Sequence, residues 1–226
     1  MPVRVGLLVP SSNTVAEVDF YRRLPSMATL HTARMFLEEV TPEHESAMLD
    51  RHLSAAVKDI ATLSPDVVVF ACTSAGALRG NASEAELLAR IAAQTGAETI
   101  GVAAAVRRAI AARRAERVGV ITPYVESLND KIRAALEADG LRVAAIDGLG
   151  IRANSEIAAV EPERIVRLAA ECFERAEFEL LFVSCTNFRA LDARERIERT
   201  LQIPVVTSNQ AALEAALDHI GATTPA

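Results

Sequence analysis

Residues Asp66–Leu78 read DVVVFACTSAGAL, and residues Glu179–Leu191 read ELLFVSCTNFRAL. Each is a short apolar run that stops at a cysteine and passes into a threonine and a turn. Runs of this length, continuously apolar rather than alternating, read as strands of a parallel sheet covered on both faces. Working outward, further strands are expected over Val3–Val9, Thr29–Leu37, Glu98–Val102, Arg117–Ile121, Arg142–Ile146 and Pro204–Thr207. Between them lie stretches with apolar residues at i, i+3 and i+4, such as SAMLDRHLSAAVKDIATL (46–63) and PERIVRLAAECFERA (162–176). Thr41-Pro42 and Glu161-Pro162 read as helix starts, and Ser83–Glu86, SEAE, as a capping box. The chain is therefore expected to be an α/β protein with mainly parallel sheets flanked by helices.

The pattern is written twice. VGLLVP at Val5–Pro10 parallels VGVITP at Val118–Pro123, and the two cysteine stretches parallel each other. Gly6 to Gly119, Pro10 to Pro123 and Cys72 to Cys185 keep one constant offset. Later, TIGVAAAVRRAI (99–110) parallels IPVVTSNQAALEAAL (203–217) at a shorter one. Two pseudo-symmetric lobes are expected, 1–104 and 105–208, with a C-terminal helix at 209–226 packing back on the first. In such sheets ligands sit beyond the C-terminal strand ends, so the active site is expected in the cleft between the lobes.

Composition narrows the function classes. The 226 residues are 50% hydrophobic, without tryptophan and with only 4% aromatics, so Ala, Val, Leu and Ile must build the core. A formal charge of -6 and the lack of a basic run argue against nucleic acid or an anionic membrane as partner. The early apolar stretch is too short for a signal-peptide core, and nothing reaches membrane-spanning length. Three cysteines without CxxC spacing fit reduced thiols in the cytoplasm.

Cys72 and Cys185 would then flank one cleft from opposite sides. A thiolate is a nucleophile and a proton acceptor, and a thiol is an acid. Opposed across a small substrate, such a pair suits racemisation, or cis–trans isomerisation by addition, rotation and elimination. Neither needs a cofactor or a metal. Cys172, on the apolar face of a helical stretch, reads as packing. The turns PSSNT (10–14), TPYVES (122–127) and TSNQ (207–210) offer uncharged donors. Their Ser12, Asn13, Ser127 and Ser208 suit helix caps, and helix N-termini also bind anions. These loops hold no lysine, and Arg79 and Arg189 fall past the turns, so backbone N–H groups and neutral side chains are expected to hold a carboxylate.

The chain resembles the Asp/Glu racemase superfamily, in its maleate cis–trans isomerase and arylmalonate decarboxylase branch. The resemblance rests on GLLVPSSNT, the cysteine after the third strand, VITPY, SCTN and PVVTSNQA in that order. It implies two pseudo-symmetric lobes, no cofactor, a small carboxylate substrate and a homodimer or larger homo-oligomer. By resemblance, Cys72 is the nucleophile that adds to a maleate-like double bond and gives a succinyl-cysteine intermediate, with Cys185 the acid–base partner. Asn13, Tyr124 and Asn154 match positions that bind substrate carboxylates, and Pro10, Ser12, Thr73 and Thr186 complete the expected site. Asn154 also reads as an ordinary helix cap. The turn Cys185-Thr186-Asn187 is closer to amino-acid racemases and to racemase-like proteins of ectoine utilisation, while arylmalonate decarboxylases usually carry a glycine in place of the first cysteine. Racemase and decarboxylase are thus the alternatives, and a two-lobed carboxylate-binding protein or a thiol redox protein the readings from other classes.

Weaker signals are read as structure. Gly148–Gly150 suits a turn rather than a dinucleotide fingerprint. His44 and His52 suit surface positions, 107–117 (RRAIAARRAER) a solvated helix face, and Tyr21 packing.

Overall fold

The structure, a computed structural model, describes residues 2–222. The elements run β1 (Val3–Pro10), α1 (Ala16–Arg23), β2 (Ala28–Met35), α2 (Pro42–Ala47), a π-helical turn (Met48–His52), α3 (Leu53–Ala61), β3 (Val67–Phe70), α4 (Thr73–Ala77), α5 (Asn81–Thr95), β4 (Glu98–Gly101) and α6 (Val102–Ala112). The second half runs β5 (Arg117–Thr122), α7 (Glu126–Glu137), β6 (Arg142–Gly148), α8 (Asn154–Ala158), α9 (Pro162–Arg175), β7 (Leu180–Val183), α10 (Ala190–Leu201), β8 (Val205–Thr207) and α11 (Ser208–His219).

Two four-stranded sheets result, ordered β2-β1-β3-β4 and β6-β5-β7-β8, with every pairing parallel. All eight expected strands form. The central ones are buried along their length, Val67–Phe70 and Leu180–Val183 without exception, because helices cover both faces. One continuous apolar core runs through both sheets. Helix α11 packs on α1 and α6. It ends at His219, and residues 223–226 of the expected 209–226 helix lie outside the described residues.

Several local expectations fail for physical reasons. The 46–63 stretch is not one α-helix: it passes through the π-helical turn, which widens the ladder between Glu45 and Leu53. Ser83 does not cap α5, because the helix begins at Asn81 behind Gly80, whose φ of 85° suits glycine. Glu84 is instead buried against Arg107 at 2.8 Å, and Arg107 also meets Asp139 at 2.6 Å. One arginine of the 107–117 run is thereby withdrawn from solvent. Tyr21 is 77% exposed rather than packed, on the outer side of α1.

Candidate active site

In each sheet the chain leaves its middle pair of strands in opposite directions, and crevices open at the C-terminal ends of such pairs. Asn13 follows β1, Cys72 follows β3, Tyr124 follows β5 and Cys185 follows β7. Both crevices contribute to one cavity of about 10 Å³, lined among others by Pro10, Asn13, Cys72, Thr73, Tyr124, Asn154, Cys185 and Thr186. That is the space of about one water molecule and far below the roughly 300–1,000 Å³ of sites for drug-sized ligands, so the walls stand nearly closed on each other and an organic occupant has to part them. Eight of the nine residues singled out in the sequence meet here. The ninth, Ser12, stands behind the wall, where it accepts a hydrogen bond from the Asn154 amide at 2.8 Å and donates to the Leu37 carbonyl at 2.5 Å.

The lobes are laced together beside this cavity. Asn13 Nδ2 donates to Thr186 Oγ1 at 3.0 Å, whose hydroxyl in turn donates to the Ala71 carbonyl at 3.0 Å. The Thr14 N–H donates to Asn187 Oδ1 at 2.9 Å, and Thr73 Oγ1 to Ser208 Oγ at 2.9 Å. Asn13 also caps α1, since its Oδ1 accepts from the N–H groups of Val15 and Ala16, both at 3.0 Å. Asn154 does not cap α8: its side chain bonds Ser12 and Asn187 instead. Gly148 is needed at the end of β6, because a Cβ there would collide with the Tyr124 carbonyl and the Asn129 amide. The missing side chain lets the Tyr124 turn settle over the strand end.

The two thiols sit in different settings. Cys72 lies at the N-terminal end of α4, with the Ala75 N–H and the Ser74 hydroxyl near its sulfur. Cys185 has a φ of 104°, a conformation strained for any residue with a Cβ, and its N–H is held by Ser208 Oγ at 3.0 Å. Its sulfur accepts from the Asn187 N–H at 3.3 Å, and the Tyr124 hydroxyl stands beside it. Burial raises the Cys72 thiol well above its ordinary value, helped by the neighbouring Glu45 carboxyl, against the pull of the Ala75 N–H. Burial likewise pushes Cys185 up to about 12, opposed by Tyr124 and Asn187. Tyr124 is raised well above its usual value by burial and by Cys185, and so stays a donor. Cys172 is fully buried in the core, away from the cavity.

Among the described residues, the cavity wall carries no Lys, Arg or His, and no group of His, Cys, Asp and Glu is arranged to hold a metal. A carboxylate here would meet only N–H groups and neutral side chains. Leu37, Val40, Ser74, Asn187 and Glu45 also line the wall and were not singled out in the sequence. Ser74 and Asn187 lie within the two cysteine motifs. Glu45 had one legible signal, an acidic residue on the apolar stripe with Met48, Leu49, Ala56, Val57 and Ile60.

Comparison with known proteins gives a family and a shared fold. Residues 5–226 match the family model described as arylmalonate decarboxylase. The maleate isomerase of Nocardia farcinica is 30% identical over 215 residues, covering 91% of this chain and 85% of the relative. A variant of the Nocardia farcinica maleate cis–trans isomerase, solved with a covalently bound succinylcysteine intermediate, superposes with a TM-score of 0.91 at 26% identity, covering 100% of this chain and 96% of that one. A liganded arylmalonate decarboxylase variant, with cysteine in place of a glycine and serine in place of a cysteine, superposes with a TM-score of 0.92 at 27% identity, covering 100% and 96%.

Proposed function

Because the chain belongs to the arylmalonate decarboxylase family, we propose that it is a cofactor-independent isomerase that converts maleate to fumarate with Cys72 and Cys185. The observation that carries this reading is a pair of repeat-related thiols in one small cavity with no cationic wall. No helix among the described residues is long and apolar enough to cross a membrane. A cytoplasmic setting, which keeps the three free cysteines reduced, and a homodimer or larger assembly belong to the same proposal.

Burial favours the thiol form of both cysteines, so the reactive form arises by loss of one proton to solvent, which leaves Cys72 as thiolate and Cys185 as thiol. Cys72 Sγ bonds to one alkene carbon, the π electrons move to the other, and Cys185 protonates that carbon. The central bond of the succinyl thioether is now single and rotates. The Cys185 thiolate then removes a proton from the carbon it faces, the double bond re-forms in the trans geometry, and Cys72 leaves as thiolate. Protons and electrons return to their starting places. Asn13, Asn154 and Tyr124, with Thr73, Thr186 and Pro10 around them, orient the carboxylates, and Ser12 holds Asn154 in position.

Arylmalonate decarboxylation is less well supported, since replacing a carboxylate by a proton needs one acid and leaves Cys72 without a task. Racemisation of a small acid uses the same pair and is the second reading, supported by the Cys185-Thr186-Asn187 turn, whose Asn187 lines the cavity.

Proton NMR in deuterated water separates these readings, with maleate, arylmalonate, aspartate and glutamate as substrates. The maleate olefinic signal is expected to give way to that of fumarate. Cys185→Ala lowers kcat by about 10²–10⁴-fold. Cys185→Ser is expected to accumulate a protein adduct heavier by one maleic acid, which Cys72→Ala lacks. Full activity in Cys185→Ala, or deuterium uptake into aspartate or glutamate without maleate turnover, overturns the assignment.

A further inference from the structure

Glu45 is the wall residue that the thiol mechanism leaves unused. It stands on α2, fully buried, in the same cavity wall as Cys72, Cys185 and Tyr124. The Ser74 hydroxyl donates to Oε1, while Oε2 is buried with no hydrogen-bond partner. A buried carboxyl oxygen without a partner is unfavourable unless something else completes it. Among the described residues, no Lys, Arg or His reaches it. Because Glu45 lines the cavity, an occupant of the cavity is the candidate partner of Oε2.

Resting on the dicarboxylate reading above, we infer that Glu45 is a specificity-determining residue which, as the neutral acid, donates the Oε2 hydroxyl to a carboxylate of the substrate. An ionised Glu45 would instead repel a dianion and oppose the Cys72 thiolate. Burial pushes its carboxyl up to about 8, only partly countered by the Ser74 hydroxyl, so the neutral form prevails at neutral pH. Neutral acid and substrate carboxylate then share one proton in a charge-assisted hydrogen bond, the strong kind. The site thereby gains an anion-binding donor where a lysine or arginine is absent.

The titratable groups facing Glu45 are Cys72, Cys185 and Tyr124, each pushed above its ordinary value. On its own helix, Glu43 and His44 are exposed. In the π-helical turn Asp50 and Arg51 are exposed and His52 is half-buried against Phe36. Helix α4, packed on α2, carries no charged residue, and Arg79 beyond it is paired with Asp50 at 2.8 Å. Between pH 6.5 and 9, Glu45 is therefore the cavity group whose charge changes.

Calorimetric titration with succinate, an unreactive dicarboxylate, tests this on the full chain, with maleate turnover measured in parallel. Wild-type Kd is expected to be flat from pH 6.5 to about 8 and then to rise about tenfold per pH unit. Glu45→Gln, whose amide still donates, keeps Kd within about threefold at pH 7 and stays flat to pH 9. Glu45→Leu weakens binding by about tenfold or more throughout. The role of Glu45 is overturned if wild-type Kd shows no alkaline rise, if the rise persists in Glu45→Gln, if Glu45→Gln binds more tightly at pH 7, or if succinate does not bind. Maleate turnover with any of those outcomes leaves isomerisation standing. The expected profile without maleate turnover overturns isomerisation and leaves the role of Glu45.

Discussion

A carboxyl that keeps its proton in the folded chain and loses it in the unfolded one makes stability depend on pH. Glu45 titrates at about 8 when folded, against an ordinary 4.5, so between those values the folded chain holds a proton that the unfolded chain has released. Stability from this group is fully present below about pH 4.5 and falls as pH rises towards 8, by on the order of 5 kcal/mol. The Tm of wild type is expected to fall relative to that of Glu45→Gln between pH 5 and 8, and a constant difference would contradict the neutral acid. Asp19, also raised by burial, acts in the same direction in both proteins and cancels in the comparison. The two cysteines were legible in the sequence because their neighbours repeat at a fixed offset. For Glu45 only burial was legible, because helical periodicity marks a position as buried without saying whether the group there meets core or cavity. Tyr21 misled for the opposite reason: an aromatic on an amphipathic helix reads as core, yet it faces outward.

At the level of elements, α2 is a six-residue helix whose position fixes where Glu45 points. Thr41 starts it, with Oγ1 accepting from the His44 N–H, and Pro42 pre-sets the first turn. Thr41→Ala is expected to reduce stability by about 1 kcal/mol. It should also raise the maleate KM more than it lowers kcat, since neither thiol lies on that helix. Thermal melts with steady-state kinetics check both. This helix start was readable from Thr41-Pro42, as was the start of α9 from Glu161-Pro162. The π-helical turn after α2 was not, since one extra residue per turn leaves the apolar spacing almost unchanged. The capping box at Ser83 failed because Gly80 starts α5 earlier and Arg107 claims Glu84.

On the scale of the whole molecule, the duplicated pattern yielded both sheets, and the strand order then set where the crevices lie. Sequence could not supply the closeness of the lobes, which depends on hydrogen bonds between distant turns. Ser208 is the clearest case: its hydroxyl accepts from Thr73 of the first half and from the strained Cys185 N–H of the second. Ser208→Ala leaves both donors buried and is expected to lower stability by about 2 kcal/mol. It should also lower kcat about tenfold by releasing the Cys185 turn, which denaturant titration and maleate kinetics measure. Unchanged kinetics would mean that Cys185 is held by its own loop alone.

The tightness of the chamber around the two sulfurs bears on how long such a catalyst survives. A carbanion formed beside bulk water would be quenched from either side, and a quench on the wrong side would leave a thioether with no base placed to undo it. Each such error would alkylate the catalyst permanently with its own reactant. With so little free space beside the sulfurs, and Cys185 as the acid built into the wall, every bond made to the Cys72 sulfur is one that Cys185 can help to break. Snugness here guards against self-poisoning.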